Sequence, residues 1–588
     1  MELKYGENKI WLENEAGDMK AYVDFPETGT GRVNVTHTVV DPDLRGQGAA
    51  GKLMEALAGK LKEDGKKAEL TCSYAVKWFA KHPEHKDLLV ATEMLDRLKK
   101  FFDEEEHLSH AAHVVQFDME TLCPPKGMEA AGETAAYLTN QIFRIHRNPA
   151  FLEAASWLYE HRGELGEFDR TLAEQLHRED VRIRRITPEQ DREFSKIYNK
   201  AYADWLRAKQ KSDFAAFAPS LKAVRQVELT RIDLMDEKKE VPYDNLLDTY
   251  ERGMTSEKLD EVFDKCRTRL VPLLGRIKAS EKKIRTDFLT RPVDLRAQEQ
   301  MARYLLETIG FDFERGAFST TEHPFTDSMG PDDERVTTHY YENMFLSSMY
   351  SSIHEGGHAL FDQNQPKENW IHHIYEGKTL GQHESVSRFY ENVIGRSEAF
   401  IHLIYPKVKE LFPDAVADVT ERELYEAVNI VRPSLIRTEA DEFTYVFHIM
   451  IRYEIEKAIV AGEVEIDDLP KIWNEKYEEY LGIRPASDAE GVLQDVHWTS
   501  GFGYFPTYAL GSMYNAMYYA RMQEEIDVDA AVRKGDFTVI NDWMAEHVWK
   551  KADRLSPGEW ILDITGRELT PDDFLDYLEE KYSKIYDI

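Results

Sequence analysis

Residues 351–364 read SSIHEGGHALFDQN. Ile353, Ala359, Leu360 and Phe361 supply apolar positions, and no proline interrupts the stretch, so it reads as a helix. Two adjacent glycines, Gly356 and Gly357, sit between two histidines. Each glycine in a helix interior costs about 1 kcal/mol relative to alanine. On a helix, His354 and His358 share one face a turn apart and can grip one ion. Glu355 lies beside that ion, placed to take a proton from a metal-activated water. The pattern is H-E-x-x-H. The glycines are expected to let a peptide lie against the helix beside the ligands, with close packing of another helix as the rival reading.

A catalytic zinc usually keeps three protein ligands and an open position. LGQHESVSRFYENVIGRS, residues 380–397, offers His383, Glu384 and Glu391 as the third. Helical periodicity alone does not choose among them.

Outward from this stretch the chain is mostly helical in pattern. EMLDRLKKFFDEEEHLSHAAHVVQF (93–117) and FTYVFHIMIRYEIEKAIVAG (443–462) are examples, with prolines and glycines between such segments. Residues 1–90 differ. MKAYVDF (19–25) and RVNVTHTVV (32–40) read as strands, AAGKLMEALAGKLKEDG (49–65) as a helix, and KAELTCSY (67–74) as a strand before a short helix around Trp78. Two domains are therefore expected, a small α/β domain at 1–90 and a large, mainly α domain at 93–588.

The 588 residues carry a formal net charge of −34. Residues 1–90 are near neutral, with 13 Lys+Arg against 15 Asp+Glu, so the acidity belongs to the rest. It opposes binding to nucleic acid or an anionic membrane, because neutralising phosphate needs lysine and arginine. Cys72, Cys123 and Cys266 are far apart and form neither a disulfide framework nor a cysteine zinc site. The polar start MELKYGENKIWLENEAGD lacks an apolar signal region, and no apolar run suits a membrane helix. The expected compartment is the cytoplasm.

VVDPDLRGQGAAGKLMEAL, residues 39–57, runs from strand through a glycine-rich turn into a helix, a place where free N–H groups can hold a pyrophosphate. Gly46, Gly51 and Lys52 nearly spell a nucleotide-triphosphate loop, but Leu53 replaces the hydroxyl residue that would hold magnesium. Arg45, Gly46, Gln47, Gly48, Ala49, Ala50 and Gly51 instead resemble the pyrophosphate loop of the GNAT acetyltransferases. With AELTCSYAVKWFAKHPEHKDLL, they make residues 1–90 look like a minimal YidJ-like member of that family. The resemblance implies acetyl-CoA binding and a catalytic part for Cys72 or His37, each with a purely structural alternative.

The larger part resembles the M32 metallocarboxypeptidases, the carboxypeptidase Taq family. Motifs in the same order carry this: His323-Pro324-Phe325, Asp333-Glu334-Arg335-Val336-Thr337, the His354–His358 pentad, His383-Glu384-Ser385, Ile436–Asp441 (IRTEAD) and Gly491–Trp498 (GVLQDVHW). Phe117-Asp118 stands where such proteins usually have Trp-Asp. The resemblance implies a helical fold with a long central groove, usually dimeric, and makes Glu384 the third ligand beside His354 and His358. It implies zinc, with cobalt possible, and peptides with a free C-terminus as substrates.

For the tetrahedral oxyanion, His497 with Tyr508 or Tyr504 are candidate donors. Arg437 and Arg335 are candidates for binding the substrate's terminal carboxylate, since arginine offers a two-pronged bond. His323 and Gln494 are candidates to line the groove, and Asp441 or Glu439 to orient a zinc histidine. The rival functions are a zinc oligopeptidase or endopeptidase, and a peptide-binding scaffold whose activity is N-terminal acetyl transfer.

Overall fold

The computed structural model describes residues 1–375 and 377–588. Two compact units emerge. One holds Met1–Gln116, Lys126–Glu179 and Ile371–Ile374, and the other holds Phe117–Pro125, Asp180–Trp370 and Tyr375–Ile588.

The first unit begins with seven strands: β1 (Glu2–Tyr5), β2 (Lys9–Glu13), β3 (Met19–Asp24), β4 (Glu27–Gly29), β5 (Arg32–Val35), β6 (His37–Val40) and β7 (Lys67–Leu70). One sheet has the order β1-β2-β3-β6 and the other β4-β5-β7. Alternate residues face inward, so Ile10, Leu12, Ala21, Val23, Val33 and Val35 share a core with Leu53, Met54, Leu57 and Leu61 of the helix Ala49–Asp64. RVNVTHTVV, expected as one strand, is two. Thr36 breaks it, and β5 runs parallel to β7 while β6 pairs antiparallel with β3. The long helix Val90–Thr121 follows without a glycine or serine spacer. Leu89 bridges to Ala68, and the Glu164 carboxylate accepts the Leu70 N–H at 2.6 Å, so the outer edge of β7 is covered within this unit.

The second unit is helical around one extended core. Its sheet is the element that the sequence reading missed: β8 (Gly316–Thr320), β9 (Thr326–Ser328) and β10 (Glu334–Thr338). β10 lies between a parallel β8 and an antiparallel β9. β9 and β10 rest on the helix Phe345–Gln363, which in turn packs on the helix Leu380–Arg388. The latter continues into a π-helical segment, Phe389–Ile394, and is covered by the helix Pro506–Gln523. Among the described residues, no helix is long and apolar enough to cross a membrane.

Candidate metal centre

His354 and His358 lie on the helix Phe345–Gln363, and Glu384 on the helix Leu380–Arg388. The Glu384 Oε2 atom stands 3.7 Å from His354 Nε2 and 3.4 Å from His358 Nε2. Ligands about 2.0–2.2 Å from a tetrahedral ion are separated by about this much. These three form the group of potential ligands found among the described residues, with all donor atoms within 4.8 Å of one another.

The outer sides of the ligands are bonded as metal ligands need. His354 Nδ1 is 2.9 Å from Glu391 Oε2, and Glu391 is also paired with Arg396. His358 Nδ1 is 2.5 Å from His383 Nδ1, and His383 Nε2 is 3.0 Å from Asp362 Oδ2. If His358 offers Nε2 to an ion, its proton sits on Nδ1 and is donated to His383. His383 then carries its own proton on Nε2 and donates it to Asp362. Burial holds the His383 imidazole below its ordinary pKa, which suits this neutral relay. Lys378, 3.3 Å from Asp362, balances the charge. The remaining oxygen of Glu384, Oε1, accepts from Arg388 Nε at 2.6 Å. Burial raises the Glu384 pKa, but Arg388, His354 and His358 outweigh it and keep the carboxylate ionised. For His354, burial is outweighed by the carboxylates of Glu384 and Glu391, and its pKa stands at about 9. A positive charge at this imidazole is thus favoured until a metal takes the proton's place. The donor set fits a divalent ion.

Of the three residues the sequence left open as third ligand, Glu384 faces both histidines while His383 and Glu391 stand behind them. Glu391 stands against His354 where Asp441 or Glu439 was expected, and His358 is met by His383, which Asp362 in turn holds. Asp441 is committed elsewhere, accepting from the N–H groups of Arg432 and Thr444. The signal for Asp362 was present in the sequence: it follows His358 by one helical turn.

The glycine pair has a different cause from the one expected. A side chain on Gly356 would strike Leu306 and Ile309, and one on Gly357 would strike the backbone of Val386 and Ser387. Both glycines serve helix packing, not substrate approach. Gly511 does the same from the other side, where a Cβ would lie 2.9 Å from Glu384 Cγ.

A cavity of about 760 Å³ is lined by His354, Glu355, Glu384, Arg437 and Tyr508, among others. Tyr508 Oη lies 3.3 Å from His497 Nε2, and Tyr504 packs edge-on against Tyr508. Burial pushes His497 down to about 4, so it is neutral. Arg437 is engaged: Nε and Nη2 donate to Asp495, and Nη1 to Tyr445 Oη. Asp495 also pairs with Arg452, so two guanidiniums share one carboxylate beside the cavity. Gln494 is used internally, accepting from Arg437 N and Arg452 and donating to Leu435 and Glu490. Arg335 forks onto Asp333 at 3.0 and 2.8 Å. Arg335, His323, Gln494, His497 and Tyr504 are not among the residues lining this cavity; of the oxyanion candidates, Tyr508 lines it.

In the first unit, no side chain caps the helix start at Gly48, and Gly46 and Gly48 both have φ of 76°. Arg45, Gly46, Gln47 and Gly48 are exposed. Cys72 precedes the helix Ser73–Lys81, with Sγ 3.3 Å from Thr38 Oγ1. Burial raises its thiol pKa, but the Thr38 hydroxyl and the N–H groups of Ala75, Tyr74 and Thr38 bring it below the ordinary value. His37 is exposed on β6.

Residues 97–582 match the profile of the carboxypeptidase Taq (M32) metallopeptidases, and residues 9–88 that of the GCN5-related N-acetyl-transferases. Carboxypeptidase 1 of Bacillus subtilis is 39% identical over 493 residues, spanning 83% of this chain and 98% of that protein. Thermostable carboxypeptidase 1 of Thermus thermophilus is 35% identical over 509 residues, with the same 83% and 98% coverage. The crystal structure of an M32 carboxypeptidase from Deinococcus radiodurans superposes with a TM-score of 0.81 at 32% identity, over 84% of this chain and all of that one.

Proposed function

The chain belongs to the carboxypeptidase Taq (M32) family of metallopeptidases, and from that premise we propose that it hydrolyses C-terminal residues from peptides with a free C-terminus, at the centre formed by His354, His358 and Glu384. The observation that carries this is the approach of Glu384 Oε2 to both imidazole Nε2 atoms in a cavity that also holds Glu355 and Arg437. His354, His358 and Glu384 would hold a divalent ion, zinc or cobalt, which would supply Lewis-acid polarisation of the scissile carbonyl and lower the pKa of a bound water. Glu355 takes the proton of the attacking water and returns it to the leaving amine. The Tyr508 hydroxyl, with neutral His497 and Tyr504 behind it, supplies a hydrogen bond to the developing oxyanion. Arg437 holds the terminal carboxylate, helped by the positive charge that Asp495 leaves unbalanced.

The test is metal content and amino-acid release from one peptide in free-acid and amidated forms. The proposal expects bound metal, release from the free acid only, and a fall of roughly 100-fold or more for Glu355→Gln with metal retained. Cleavage of both forms points to an oligopeptidase.

For residues 1–90 the proposal is a domain that binds acetyl-CoA, with its pyrophosphate on the Arg45–Gly51 loop and the acetyl group toward Cys72. Three free cysteines accord with a cytoplasmic setting. Calorimetric titration of the full chain with acetyl-CoA tests the domain, and no heat at millimolar ligand refutes it. The homodimer implied by the family is tested by sedimentation.

A further inference from the structure

We infer that Thr326 is the positioning residue of Glu355 and that Thr337 fixes Thr326 in place, an inference that rests on the hydrolytic reading above. Thr326 opens β9, directly after the His323-Pro324-Phe325 motif. Its Oγ1 lies 2.8 Å from Glu355 Oε2 and 2.8 Å from the carbonyl oxygen of the same residue. Both partners are acceptors, so the single hydroxyl proton is shared between them in a three-centre bond that ties the carboxylate to its own main chain. Glutamate has three rotatable side-chain bonds, and this tie selects the conformer that faces the cavity. Threonine suits the task because its branched Cβ stiffens χ1, so the backbone of β9 dictates where the hydroxyl points.

That backbone is itself clamped. Thr337 of β10 is fully buried, and its Oγ1 accepts the Phe325 N–H at 2.8 Å. The same hydroxyl donates to the Phe325 carbonyl at 3.0 Å, and the Thr337 N–H donates to that carbonyl at 2.9 Å. Three bonds from one residue thus hold both main-chain polar groups of Phe325, the residue just before Thr326. β9 has only three residues, too few to hold its register by ladder bonds alone. The histidine-proline-phenylalanine motif and the Asp333–Thr337 motif, 12 residues apart at Phe325 and Thr337, accordingly act on one carboxylate.

The experiment compares Thr326→Val, Thr326→Ser and Thr337→Val with the parent enzyme for kcat and KM on a free-acid peptide, bound metal and Tm. Thr326→Val keeps the branched shape and removes only the hydroxyl. It should lower kcat by roughly 10- to 100-fold with KM little changed, since a mis-set general base loses part of its contribution. Metal content and Tm should stay near parental values. Thr326→Ser should recover most of the loss, and Thr337→Val should show an intermediate kcat. Parental kcat in Thr326→Val overturns the inference, as does a loss that serine fails to repair or one that follows metal or Tm. An active parent with an unaffected Thr326→Val overturns the inference alone, whereas a metal-loaded parent that releases no amino acid overturns the hydrolytic reading and the inference with it.

Discussion

Gly357 faces Ser387 so closely that a Cβ on it would stand 2.7 Å from the Ser387 Cα. The obstructing atoms are main chain, so the helix carrying Glu384 would have to move away from the helix carrying the histidines. Gly357→Ala should therefore cost about 1–3 kcal/mol, as overpacking does, and weaken metal binding as well. Gly356→Ala meets the tips of Leu306 and Ile309, which can give way, and should retain the metal. Thermal melting and metal analysis after dialysis compare the two. Equal metal retention would show that the helix approach does not set the ligand geometry.

Glu384→Ala should lose nearly all bound metal, because it removes a ligand and leaves His354 and His358 without a third partner. His383→Ala and Glu391→Ala should weaken metal binding by roughly 10- to 100-fold, the range for groups that orient a ligand from behind. Chelator competition ranks the three. A larger loss in His383→Ala than in Glu384→Ala would reverse their roles.

Glu334 is fully buried on β10 and accepts a hydrogen bond from Ser328. Burial, and then the charge of Asp362, push its carboxyl up to about 9. An unfolded chain releases this proton near pH 4.5, whereas the folded chain keeps it. Its contribution is thus most favourable at low pH and is lost progressively as pH rises from about 4.5 toward 9, by up to about 1.4 kcal/mol per unit. Glu334→Gln should become more stable than the parent as pH rises through this window. Denaturation midpoints at pH 5 and pH 8.5 measure it, and parallel shifts in both proteins would show that Glu334 is ionised in the fold.

Arg437→Lys should lower kcat/KM on a free-acid peptide by about 10- to 150-fold, equivalent to the roughly 1.5–3 kcal/mol of a bond to a charged group. Lysine offers a point charge where arginine offers a fork. Arg335→Lys should have a smaller effect, because both arginines are paired with an aspartate but only Arg437 lines the metal cavity. The reverse order would assign the terminal carboxylate to Arg335.

What the sequence determined by itself is local. The i, i+4 spacing of His354 and His358 follows from helix geometry, and the change of style near residue 90 follows from two periodicities, so the paired histidines and the order of an α/β segment before a helical one were legible directly. The turn chemistry of Arg45–Gly51 was legible for the same reason. What the tertiary structure decided concerns residues distant along the chain. Glu384 follows His358 by 26 positions; periodicity left it open beside His383 and Glu391, the family resemblance named it, and the packing of two helices, permitted by Gly357, brings it against both histidines. The short strands β8, β9 and β10 were hidden because their pairing, not their alternation, defines them. The partners of Arg437 and Arg335 were equally hidden, since a guanidinium's nearest carboxylate is a fact of three-dimensional neighbourhood and leaves no period in the sequence.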